Sequence, residues 1–394
     1  MKPTIYLDNS ATTRICDEAL ETYIEISREH FGNPSSLHAI GFDAEKVLKD
    51  ARTTVMKALG AKDGTLIFTS SGSEANNLAI FGRAHAKMRY KGKKILTTEG
   101  EHSSVSSVID ALRADGYKTE TIPTRGGILD LDALERMLTP DVILVSAMMV
   151  NNETGAIYDL AAVSAMMKRK CPDAVLHADA TQSFMKLPFS PDALGADMVT
   201  LSSHKIEGPK GVGALYISGE MIKTRGLSPL ILGGGQEGGY RSGTENVPGI
   251  AAFAKACEIA KSNLQSRIRH VSGLKKELLD RLASDDRLSE ISPLCPPHAA
   301  PHILSLTVNN VKSETMLHFL SSEGICVSSG SACSSNASTR HASPALLAYG
   351  QSEAEADSSI RVSFSHRNTK EDVDALCEAL ALGLSRLAKI RRPK

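Results

Sequence analysis

The sequence predicts an α/β protein with a large domain, in which a mostly parallel sheet lies between helices, and a smaller α+β domain. Three observations predict this. At 394 residues the chain is too long for one ordinary domain. Through its first two thirds, short apolar runs alternate with helical patterns, which is how strands buried on both faces read. From about Pro248 the texture changes to long helices followed by separate strands.

Residues 66–69, 94–98, 142–147, 175–178, 198–201 and 212–217 are the strand candidates of the large domain, each a short β-rich run. Helical patterns at 74–90, 132–137 and 161–169 fall between several of them. In the last third, a helical pattern over 250–283 breaks near Ser272-Gly273. Residues 303–308, 324–327 and 360–364 read as strands, and 314–322 and 370–389 as helices. The expected division is 15–258 for the large domain, and 1–14 with 259–394 for the small one. Ahead of the last strand lies SSGSACSSNASTRHAS, residues 328–343, whose small polar composition reads as a mobile loop.

Composition excludes several classes of function. Forty-five basic residues balance 45 acidic ones, so no overall field favours nucleic acid or an anionic membrane. The basic end, 389–394, reads as a solvated tail. No apolar run follows the basic start of MKPTIYLDNS, so no secretory signal is expected. The longest apolar stretch, 142–150, is far too short to span a bilayer and suits a buried strand. Seven cysteines without a Cys-x-x-Cys pair suggest neither a disulfide framework nor a zinc site, and point to a reducing cytoplasm.

Three constellations carry chemistry. In Phe68-Thr-Ser-Ser-Gly-Ser-Glu-Ala-Asn-Asn77 a strand ends and a helix begins, with Ser73 as the expected N-cap. Unpaired N–H groups at such a helix start form a seat for phosphate, although an ordinary capped helix reads the same way. In His177-Ala-Asp-Ala-Thr-Gln182, Asp179 falls at a strand's carboxyl end, where it can hold a ring N–H⁺. Alone, that His-x-Asp is equally a metal-ligand pair or a turn. In Ser202-Ser-His-Lys-Ile-Glu-Gly-Pro-Lys-Gly-Val-Gly213, Lys205 can form a Schiff base with an aldehyde cofactor. Lys210 is its rival, placed in a Gly-Pro-Lys-Gly turn where lysines are usually solvated. Phosphate seat, carboxylate and lysine, each at a strand end and in that chain order, make up the kit of a pyridoxal-phosphate site.

Those residues resemble the cysteine desulfurases of the NifS/IscS type, within the fold-type I pyridoxal-phosphate enzymes. The resemblance runs nearly the full length, from Tyr6-Leu-Asp-Asn-Ser-Ala-Thr-Thr13 and Phe31-Gly-Asn-Pro-Ser-Ser36 to Ser358-Ser-Ile-Arg361. It includes Glu101-His102, Val150-Asn-Asn-Glu153, His204-Lys205, Arg241-Ser-Gly-Thr-Glu-Asn246 and Ser328-Ser-Gly-Ser-Ala-Cys333. It implies that the large domain carries the cofactor on Lys205, which later moves the substrate's α-proton. It also implies that Asp179 pairs with the pyridine nitrogen, Gln182 with the ring hydroxyl, and His102 with the ring face. Gly72, Ser73, Ser202 and His204 would bind the phosphate, and Thr244 would reach it from the partner subunit of a homodimer. Arg361 with Asn152 would clamp the carboxylate of L-cysteine. Cys333 would take the sulfur as a persulfide for a sulfur-acceptor protein such as an iron–sulfur scaffold. The other cysteines read as structural or incidental, with Cys326 in the core.

Some positions depart from the family pattern. Glu237-Gly238-Gly239 replaces Glu-Arg-Gly, removing a positive charge expected near the pocket mouth. Ser71-Gly72-Ser73 replaces Gly-Ala-Thr and keeps the hydroxyl. Ser365-His366-Arg367 shortens Ser-Phe-Gly-Arg, and the chain ends soon after its last helix without the longer tail of some relatives. Rival readings are a selenocysteine lyase, another class V aminotransferase-like enzyme, or a non-catalytic relative. The cysteine loop argues against the first two, and retention of Lys205, Asp179, His102, Arg361 and Cys333 together against the third.

Overall fold

A computed structural model describes residues 4–86, 92–329 and 342–387. After a short strand β1 (Ile5–Tyr6), seven strands form the central sheet: β2 (Thr65–Thr69), β3 (Lys94–Thr98), β4 (Lys118–Ile122), β5 (Val142–Met148), β6 (Val175–Asp179), β7 (Met198–Ser202) and β8 (Gly213–Ile217). Their spatial order is β2-β8-β7-β6-β5-β3-β4. Strand β8 runs antiparallel to both of its neighbours, and the other four pairings are parallel. Reversal across β8 happens twice, so β2 again points the same way as β7. The carboxyl ends of β2, β3, β5, β6 and β7 therefore share one edge of the sheet, where sites in such folds gather.

Neighbouring residues along each strand face opposite cores. Leu96, Val145 and Leu176 join one apolar cluster, while Ile95, Leu144 and Val175 join the other. Burial on both faces explains why these strands read as continuous apolar runs. Strand β4 escapes that reading because KTETI is a polar edge strand, exposed or half-buried except at Ile122. Two long helices, Asp17–Glu29 and Ala39–Leu59, were also not among the candidates; both pack on the helix Val247–Ser262.

A second sheet of β9 (Ile291–Leu294), β10 (Ile303–Val308), β12 (Ser328–Ser329) and β13 (Ser359–Ser363) is antiparallel, in the order β12-β13-β10-β9. Between β10 and β12, β11 (Ile325–Cys326) pairs in parallel with β1. Leu7 packs into the apolar cluster of this second sheet, together with residues from Val271 onward. The helical pattern expected over 250–283 with a break near Ser272-Gly273 is two helices, Val247–Ser262 and Leu264–Ser284, but the break falls elsewhere. They divide at Asn263, whose side chain turns back to the Ile259 carbonyl. Gly273 lies unbroken inside the second, where a Cβ would meet nothing within 4 Å. Similarly, the helix expected over 74–90 ends at Ala84, and residues 87–91 lie outside the described part. No helix among the described residues is long and apolar enough to cross a membrane.

Candidate active site

At the common carboxyl edge lies a cleft of about 460 Å³. It brings together Gly72, Ser73, His102, Asn152, Asp179, Gln182, Ser202, His204, Lys205 and Arg361, which come from positions almost 300 residues apart. All but Arg361, which lies within β13, come from the last residue of a central-sheet strand or from the turn that follows one, because buried strands fix where those ends emerge. Lys210 is exposed and lies outside the cleft. Thr244 is also exposed and not among its lining residues. Cys333 lies outside the described residues.

The phosphate seat differs in detail from expectation. Ser71, with extended backbone, is the N-cap of the helix Gly72–Ala84, and its hydroxyl accepts from Glu74 N at 3.1 Å. Ser73 is instead in the first turn, lining the cleft. The helix N-terminus is thus open to an anion, with two hydroxyl residues beside it. A Cβ on Gly72 would stand 3.2 Å from both Ser202 Cβ and Thr181 Oγ1, filling part of the seat. On Gly213 it would stand 2.4 Å from the Ser71 carbonyl carbon, so β8 passes beneath this turn only as glycine. His204 accompanies them, its Nδ1 3.1 Å from Thr12 Oγ1. Burial and the nearby Lys205, Lys210 and Lys186 push its imidazole down to about 4.

Asp179 is held rather than loose. Asn76 Nδ2 donates to its Oδ2 at 2.8 Å and Thr181 N to its Oδ1 at 2.9 Å. The neighbouring His177 is fully buried, its ring nitrogens engaged by Ser146 Oγ at 2.9 Å and Thr200 Oγ1 at 3.0 Å. That engagement removes the metal-pair reading of His-x-Asp. Among the described residues no cluster of His, Cys, Asp and Glu is arranged for a metal ion.

Lys205 sits on the turn after β7, its Nζ donating to the carbonyls of Ser10 at 2.6 Å and Ala11 at 2.8 Å. His102 caps the helix Ser103–Ala114, accepting from Ser104 N through Nδ1. Burial, partly offset by Asp179, lowers its pKa, so the ring facing the cleft is neutral. Arg361, on β13, donates to the Asn152 carbonyl at 2.9 Å and to Asp8 Oδ1 at 2.8 Å. Its buried Nε has no hydrogen-bond partner among the described residues. The guanidinium is therefore fixed in place with a donor still unsatisfied. Asp8, Ser10, Asn76 and Ser328 also line the cleft, and none was singled out from the sequence. The Gly238 departure lies outside the lining, in a turn where Glu237 takes Arg52 in a two-point ion pair at 2.7 and 2.8 Å. Cys326 is half-buried on β11, not the core residue expected, because that strand pairs only with β1.

Under His102 lies a buried carboxyl. Glu101 Oε1 accepts from Met148 N at 2.7 Å and from Thr98 Oγ1, while Oε2 has no partner among the described residues. Burial, reinforced by the charge of Asp179, pushes this group from 4.5 up to about 8. The folded chain thus keeps a proton that the unfolded chain loses above 4.5. Its contribution favours folding fully below that value and is lost as pH rises through about 8. Glu101→Gln keeps the acceptor without ionising, so it should gain about 1–3 kcal/mol at pH 8 and almost nothing at pH 4.5. Urea unfolding at the two pH values measures the difference.

The donor set of the cleft fits a phosphorylated aldehyde: an amine, a fixed carboxylate, an open helix N-terminus and a buried guanidinium. The chain matches the family model for aminotransferase class-V over residues 5–376. It is 37% identical over 385 residues to a protein named cysteine desulfurase IscS 1 of Archaeoglobus fulgidus, covering 97% of each chain. A solved NifS-like protein superposes with a TM-score of 0.89 at 35% identity, over 97% of this chain and 99% of that one. A structure described as SspA in complex with cysteine superposes at 0.79 with 31% identity, over 93% of this chain and all of the other. The chain belongs to the class-V aminotransferase family, within the cysteine desulfurases of the NifS/IscS type.

Proposed function

We propose that this chain binds pyridoxal 5'-phosphate and removes sulfur from L-cysteine, leaving L-alanine and a persulfide on Cys333. The observation that carries the reading is the meeting of Lys205, Asp179 and the Gly72–Ala84 helix N-terminus in one cleft, with Arg361 at its side. Lys205 would hold the cofactor's aldehyde carbon, and Asp179 its ring nitrogen. Gln182 would serve the ring hydroxyl, and Gly72, Ser73, Ser202 and His204 the phosphate. When bound, the cofactor supplies a ring that stabilises negative charge at the substrate's α-carbon. His102, its pKa lowered first by burial, would cover the ring face. Arg361 receives the substrate carboxylate beside Asn152, and Lys205 takes the α-proton. The thiolate of Cys333 then attacks the substrate sulfur: an S–S bond forms, the C–S bond breaks, and its electron pair stays with the substrate carbon.

Dimerisation belongs to the same reading. Phe31, Leu37 and Leu232 are 70%, 89% and 78% exposed, large apolar side chains that a second copy would cover. Thr244, exposed and away from its own cleft, is then available to the partner's phosphate seat. Residues 15–258 form the cofactor domain, and 1–14 with 259–394 the small domain. The membership of Leu7 in the second core supports that division. Six described cysteines are unpaired, in keeping with work in the cytoplasm and with delivery of sulfur to an acceptor protein.

Alanine released from L-cysteine in the presence of a thiol tests the reaction. Without reductant, a gain of about 32 Da on the peptide carrying Cys333 tests the persulfide. A protein that neither binds the cofactor nor releases alanine would overturn the proposal. Arg361→Lys keeps the charge and loses the planar two-point contact, so L-cysteine should bind about 1–3 kcal/mol more weakly while the bound cofactor's spectrum is unchanged. An unaltered half-saturation concentration would remove Arg361 from the clamp.

A further inference from the structure

Beside Lys205 lies a second, smaller cavity of about 70 Å³, whose lining includes Lys186, Glu207, His302 and His366. Lys186 follows Gln182 by four residues, in the turn after β6, and its Nζ donates to Gln182 Oε1 at 3.2 Å. A glutamine amide has one accepting and one donating end. With Oε1 turned to the lysine, Nε2 is the end that donates to the Ser10 carbonyl at 2.9 Å. That same carbonyl accepts Lys205 at 2.6 Å, so Nε2 faces the reacting amine's resting place. Gln182 is only 5% exposed, leaving little bulk water to satisfy a reversed amide.

We propose that Lys186 is a positioning residue for the cofactor's ring oxygen, locking the Gln182 amide so that Nε2 donates there. The inference rests on the reading of the cleft as a pyridoxal-phosphate site. An ionised ring oxygen only accepts hydrogen bonds. A reversed amide would set Oε1 against it, oxygen to oxygen, and turn its NH₂ toward the lysine's own donors. Lysine at 186 disfavours both contacts at once. Burial, then the charges of Lys205 and Arg361, bring its pKa down to about 7. As an ammonium the group carries donors only, and in that form it enforces the lock, whereas the lone pair of the neutral amine could accept from a reversed amide.

The test is a pH titration of the bound cofactor's visible absorbance, with cofactor affinity measured by equilibrium dialysis. Gln182→Ala should raise the titration midpoint by about one unit, since the ionised ring oxygen loses a donor. Lys186→Met should raise it part of the way and weaken cofactor binding several-fold, whereas Lys186→Arg, which keeps N–H donors, should stay near wild type. In the Gln182→Ala background Lys186→Met should add nothing, because its effect passes through the amide. A full additional shift there, or a wild-type midpoint in Lys186→Met alone, overturns the inference and leaves the cleft assignment standing. A wild-type midpoint in Gln182→Ala overturns the assignment of Gln182 and the inference with it. Should Lys186→Met not fold, Lys186→Ala puts the same question.

Discussion

Cys333→Ser is expected to bind L-cysteine and then stop. On the proposed function the early steps use Lys205, Asp179 and Arg361, all unaltered by the change, so the substrate should still reach Lys205 and lose its α-proton. Sulfur removal needs an ionised nucleophile. A serine hydroxyl is almost wholly protonated at neutral pH and attacks sulfur poorly, whereas a thiol already supplies a few per cent thiolate. Alanine formation should fall by roughly three orders of magnitude or more, with a lasting change in visible absorbance and no persulfide. Normal alanine turnover would overturn Cys333 as nucleophile. A persulfide on the half-buried Cys326 would move the assignment there. Turnover retained with selenocysteine alone would favour the lyase reading.

Lys205→Ala should be equally severe by a different route. Wild type treated with borohydride should fix the cofactor to the chain, and the variant should not. Alanine formation should again fall by about a thousandfold or more, since the same amine holds the cofactor and moves the proton. The fold should survive, because the lysine's described bonds are to two carbonyls at the edge of a cleft and not to the core. Circular dichroism and the thermal midpoint check this. A cofactor bond still reducible in the variant would direct attention to the exposed Lys210.

What could be read from the sequence follows from what distance along the chain can carry. Asp179 and Lys205 were legible because each ends a short apolar run, and such runs in a sheet covered on both faces place their ends on one edge. Asn76, which holds Asp179, and Asp8, which holds Arg361, carry no local signal of those tasks. Their partners lie 103 and 353 residues away. Ser71 and Ser73 flank the same turn, and only the extended backbone of Ser71 decides between them as cap. Both helices before residue 60 are amphipathic and follow no strand run that would have framed them. Strand β4 is polar because it lies at the sheet edge.

Both ends of the segment bearing Cys333 are tied to the substrate clamp. On one side Ser328 pairs in register with Arg361, and on the other Ser343 Oγ donates to Glu153 Oε2 at 2.6 Å, next to Asn152. The described residues on either side of that segment are therefore both anchored beside Arg361 and Asn152, and chain length alone bounds how far Cys333 can lie from them. Cys333 comes four residues after Ser329, so the fully extended backbone carries it roughly 14 Å from that residue. On the proposed function, that bound would give the thiol a high effective concentration at the cleft, as a linked second ligand has near its site. It also sets a limit on delivery. An acceptor of that sulfur, on the same proposal, would have to bring its own thiol within that radius of Ser329, so that the fit of its surface, and not the travel of the sulfur, would select partners.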